Sequence, residues 1–82
     1  MDDNDSQWEA TLDQAQAVER ALYCWHKRSR QIVLPECLQV GLLRSAQELS
    51  YAENEHDIGL LQLSLSYSAS VLEELQKWLK EN

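Results

Sequence analysis

The apolar positions of this chain fall into three helical stripes. The clearest runs from Ile58 to Leu79. Steps of three and four pick out Ile58, Leu61, Leu65, Ser68, Leu72, Leu75 and Leu79, and all but Ser68 are large aliphatics. That 3.5-residue period lays one apolar stripe along a helix. It predicts helix over about 57–81. Within it, Leu61-Gln62-Leu63-Ser64-Leu65-Ser66-Tyr67-Ser68 alternates apolar and polar, which is also the pattern of a half-buried strand. Helix is the better reading. The period continues unbroken through Leu72, Leu75 and Leu79, no Gly or Pro interrupts it, and the alternating run lacks β-branched residues.

The second stripe is Trp8, Leu12, Ala15, Val18, Leu22 and Trp25, one face of a helix over about 7–30. Ser6 and Glu9 have capping-box spacing, so Ser6 is the expected N-cap. Residues 1–5 are polar and acidic and are expected to be a disordered lead-in. Gln31-Ile32-Val33-Leu34-Pro35 then breaks the pattern, because β-branched residues and X-Pro favour extended backbone. Pro35 suits the first turn of a second helix. Leu38, Leu42, Ser45, Leu49 and Ala52 carry that helix over about 35–53, with Val40, Leu43 and Ala46 beside them. Gly41 costs about 1 kcal/mol against Ala in mid-helix; a close helix–helix approach there would account for it. Asn54-Glu55-His56-Asp57 is a short polar connection, and Asn54 or Asp57 can cap the third helix.

Three helices with short connections make antiparallel neighbours. The expected fold is therefore all-α, a small three-helix antiparallel bundle, with residues 6–82 forming one domain around the third helix. The third helix carries more apolar surface than its seam uses. Leu60, Leu63 and Tyr67 project away from the stripe, and Val71 and Trp78 extend their face. A helix apolar nearly all round needs cover on more than one side. The expected partner-binding set is Leu60, Leu63, Tyr67, Val71 and Trp78, joined by Tyr23, which lies off the first helix's stripe. Trp8, Trp25 and Tyr51 are the remaining aromatics, ordinary as core or rim.

Composition narrows the job. At 82 residues the chain buries only about 60% of its unfolded surface, so self-association, as a homodimer, is expected to complete the core. The net charge of −7 opposes contact with phosphate backbones, so no direct nucleic-acid binding is expected. The acids gather early: Asp2, Asp3, Asp5, Glu9, Asp13 and Glu19 precede any base, and Arg20, Lys27, Arg28 and Arg30 follow. This order suits the helix macrodipole. The basic cluster at His26–Arg30 reads as a solvated helix end. The start of the sequence has no basic and apolar leader, and no run approaches the roughly 20 apolar residues of a membrane span. A cytoplasmic setting is expected, with Cys24 and Cys37 as buried or half-buried free thiols.

No catalytic constellation can be assembled, so no enzyme activity and no cofactor are expected. Cys24, His26, Cys37 and His56 suffice for zinc in number but not in spacing. Glu53, Glu55, His56 and Asp57 match no calcium loop. The expected function is a non-enzymatic protein–protein interaction module of adaptor, chaperone or regulator type. It docks a partner or a second copy on the apolar face of its third helix. The alternative is an acidic inhibitor that occupies a basic, nucleic-acid-binding surface of a target protein.

Overall fold

The computed structural model describes residues 3–81, with side chains from residue 5 onward. It is an all-α three-helix bundle: α1 spans Asp3–Arg28, α2 Glu36–Asn54 and α3 Ile58–Glu81. No strand occurs among the described residues, so the alternating run 61–68 is helical. Contacts between α2 and α3 run in opposite senses along the two helices. Gly41 of α2 lies against Val71 of α3, while Arg44 sits over the Tyr67 ring at 5.8 Å. On α1, Glu19 faces Glu53 of α2 while His26 shares a groove with Gln39 and Val40, so both pairs of consecutive helices are antiparallel, and α3 makes the larger share of the contacts of both others.

The stripes of α1 and α2 pack as their spacing predicts. Ala15, Leu22 and Trp25 are buried on α1, and Leu42, Leu49 and Ala52 on α2. Trp8, Val18 and Leu38 pack half-buried against them. The α1–α2 connection is extended at Pro35 (φ −56°, ψ 146°), which is the N-cap of α2 rather than its first turn. Leu34 plugs the core there, while its neighbour Val33 points into solvent. The α2–α3 turn is a Schellman motif, with the Asp57 N–H donating to the Ala52 carbonyl and the His56 N–H to that of Glu53. His56 takes the left-handed φ of 52° the motif needs. That costs a non-glycine residue about 1 kcal/mol. Its ring stacks on Trp8, with centroids 3.9 Å apart, tying the start of α1 to this turn. The Asp57 carboxylate accepts from the Leu60 N–H at 3.1 Å and caps α3 as expected.

Four expectations change. Ser6 is not an N-cap, because α1 is already helical from Asp3. The lead-in expected over 1–5 is helical at residues 3–5, and residues 1 and 2 lie outside the described residues. Cys24 and Cys37 are free but exposed, not buried. The buried row of α3 is Leu61, Ser64, Ser68, Val71 and Leu75. Leu65 and Leu72 are displaced to its flank, half-buried, and Leu79 is exposed. The cause is the contact with α2, the most extensive of the three. Gly41 of α2 meets Val71 of the α3 row, and Ser45, Ser64 and Ser68 are all buried. Small side chains let the two backbones approach, so a Ser outcompetes the adjacent Leu for the inward position.

Gly41 tests this packing. A methyl group built there would meet both Val71 γ-carbons at 3.4 Å, ordinary van der Waals contact. Gly41→Ala should therefore raise stability by up to about 1 kcal/mol through helix propensity. Gly41→Leu should lower it by about 1–3 kcal/mol through overpacking. Denaturant unfolding of the two variants checks both signs.

Candidate functional site

Apart from Val33 in the α1–α2 connection and Leu79 near the end of α3, the large apolar side chains left in solvent among the described residues lie on α2 and in the grooves beside it. Leu63 is 69% exposed, Tyr23 62%, Leu43 60%, Tyr51 59%, Val40 54% and Leu60 37%. On α2, Val40, Leu43, Gln47 and Tyr51 recur at steps of three, four and four. They form a stripe on the side of that helix opposite its buried row of Leu42, Ser45, Leu49 and Ala52. At 1.5 Å per residue the stripe is about 16 Å long. Tyr23 of α1 flanks it at one end, in a groove shared with Leu22, Leu42, Leu43 and Ala46. Leu60 and Leu63 of α3 flank it at the other, in a groove shared with Gln47 and Tyr51. The result is a diagonal apolar strip crossing all three helices.

The sequence-predicted partner set divides on this geometry. Leu60, Leu63 and Tyr23 lie in the strip. Tyr67 is half-buried against the core, with Arg44 over its ring. Trp78 is half-buried against the core at the far end of α3. Val71 is buried and faces Gly41, so it belongs to the core and not to a docking face. The exposed strip is therefore centred on α2, where Val40, Leu43 and Tyr51, outside the expected set, belong to it. Their spacing opposite the buried row is the signal that locates them.

Charge flanks the strip unevenly. The Lys27 ammonium lies 5.6 Å from the centre of the Tyr23 ring, and Arg20 lines the groove on the other side of Tyr23. Glu36 is an acid at the same end, in the groove with His26 and Val40. At the opposite end stand Glu55, whose N–H is bonded to the Tyr51 carbonyl, and the Asp57 cap beside Leu60. Glu48 is already paired with Arg44 at 2.9 Å along α2.

One ionisable group is strongly perturbed. Glu19 of α1 faces Glu53 of α2, and its Oε1 is buried without a hydrogen-bond partner. A proton bridging to Glu53, then desolvation, then repulsion from Glu53 push its pKa from the ordinary 4.5 to about 7. The pair sits on the least extensive interhelical contact, between α1 and α2. Among the described residues no three His, Cys, Asp or Glu side chains converge to hold a metal ion. No helix among them is long and apolar enough to cross a membrane. Compared with protein-family models, with curated proteins and with solved structures, the chain matches none.

Proposed function

We propose that this protein is a non-enzymatic interaction module that docks an amphipathic helix on the outer face of α2. The observation that carries the reading is the strip itself. Tyr23, Val40, Leu43, Tyr51, Leu60 and Leu63 expose on the order of 600 Å² together, the upper end of what a monomer leaves bare. A helix offering apolar positions at steps of three and four matches the Val40–Leu43–Gln47–Tyr51 row. Tyr23 and Tyr51 supply large, rigid anchors of the kind that dominate interface energetics.

The acidic-inhibitor reading has less behind it. Asp5, Glu9 and Asp13 are exposed on α1, but Arg20, Lys27, Arg28 and Arg30 follow on the same rod and its turn, so the acid is not continuous. A complex of that kind would weaken steeply with salt, whereas docking on the strip would respond little.

Titration with a Leu/Lys amphipathic peptide, followed by amide chemical shifts, tests the docking face. Signals around Tyr23, along Val40–Tyr51 and at Leu60–Leu63 should move, and Leu43→Glu should abolish the response. Because Leu43 is exposed, that substitution leaves the core intact. Shifts spread over every helix face, or shifts that ignore Leu43→Glu, would remove the proposal.

A further inference from the structure

We infer that the helix received by this face is α2 of a second copy, paired about a twofold axis that crosses the strip at Gln47. The inference rests on the docking face proposed above and identifies its occupant. An isologous contact requires a surface complementary to itself after a half-turn. The strip meets that requirement in shape of chemistry and in charge. One end holds a tyrosine and two aliphatics, Tyr23, Val40 and Leu43. The other end holds a tyrosine and two aliphatics, Tyr51, Leu60 and Leu63. Gln47, an amide that can both donate and accept, lies between them. An axis lying in the face and crossing the strip there lays the Tyr23 end of each copy over the Tyr51 end of the other. The two α2 helices then cross with opposed directions.

Charge selects the same pairing. Arg20 and Lys27 beside Tyr23 are set against Glu36 and against Glu19, which lines the same groove, so that end is mixed in charge. Glu55 and Asp57 leave the Tyr51–Leu60 end negative. The half-turn sets the end that carries the bases against the acidic end twice, whereas a parallel arrangement would set acidic end against acidic end. Glu48, in the groove with Leu60 and Leu63, is already paired with Arg44, so it is not left as a lone charge at the strip's centre. Complete cover of the strip would supply most of the roughly 800 Å² per subunit of a standard interface. The overall −7 of each copy acts at longer range and is screened at physiological ionic strength.

The test uses the full chain. Sedimentation over rising protein concentration should show a monomer–dimer equilibrium that Leu43→Glu shifts to monomer. Lys27→Glu and Glu55→Lys should each weaken the dimer by about tenfold, the scale of a 1.4 kcal/mol loss, and the double variant should recover it. In a Cys24→Ser, Cys37→Ser background, Gln47→Cys should oxidise to a linked dimer. Gln14→Cys, exposed on the opposite side of α1 from Tyr23, should not. A chain that stays monomeric while the Leu/Lys peptide still docks would overturn self-pairing and leave the docking face standing. A dimer indifferent to Leu43→Glu, or linked equally well through position 14, would overturn pairing through this face.

Discussion

Leu61→Ala should destabilise the bundle by about 2–5 kcal/mol, while Leu63→Ala, two residues on, should change it by less than about 0.5 kcal/mol. The two leucines are equivalent in an alternating strand pattern. On a helix they stand 200° apart. Leu61 is fully buried in the core, whereas Leu63 is among the most exposed apolar side chains described. Truncating Leu61 removes its burial and leaves a cavity that rigid neighbours only partly close. A domain of this size holds about 4–12 kcal/mol in total, so the loss would be a large fraction of it. Chemical denaturation of the two variants in dilute solution, below the range of any self-association, gives the comparison. Equal losses would contradict the helical phase of α3.

Stability should fall as pH rises from about 5 to 8, and Glu19→Gln should remove that fall. Glu19 titrates near 4.5 when unfolded and near 7 when folded. A group that holds its proton more tightly in the folded state contributes fully below its unfolded pKa. The contribution fades as pH climbs through the folded value. Glu19 is half-buried, so solvent screening reduces the effect to the order of 1–2 kcal/mol. Glutamine keeps a donor for Glu53 at every pH, so the variant should match the parent at pH 5 and exceed it at pH 8. His26 and His56 are common to both proteins and cancel in the difference. If the parent and Glu19→Gln lose stability in parallel, Glu19 is not the group responsible.

Much of the architecture was legible in the residue pattern. The rows Trp8–Trp25 and Leu38–Ala52, the extended break before Pro35, the Asp57 cap and the close approach at Gly41 are all read from spacing and residue type. The phase of α3 was not. A rule that prefers large aliphatics steps from Leu61 to Leu65 and passes over Ser64. The bundle takes Ser64 because proximity to α2 outweighs the hydrocarbon gained by turning Leu65 fully inward. That rotation carries Val71 into the core and moves the exposed surplus onto the α2 side. Of the expected set, Leu60, Leu63 and Tyr23 are exposed beside α2, while Val71 is buried and Tyr67 and Trp78 are half-buried. The Glu19–Glu53 contact had no local signal, because it joins residues 34 apart in the chain through the packing of two helices.

The seam of Gly41, Ser45, Ser64 and Ser68 also shapes the calorimetry of the molecule. These groups bring α2 and α3 together with almost no rotamers to freeze and very little hydrocarbon to dehydrate. The Ser45 and Ser68 hydroxyls are buried without hydrogen-bond partners, so the seam adds polar surface to the wetting that accompanies melting. Apolar wetting raises the heat capacity of the unfolded chain and polar wetting lowers it. The increment on melting should lie at or below the low end of the usual range of about 12–15 cal/mol/K per residue. A small increment flattens the curve of free energy against temperature, so the bundle keeps nearly the same modest margin from cold to warm.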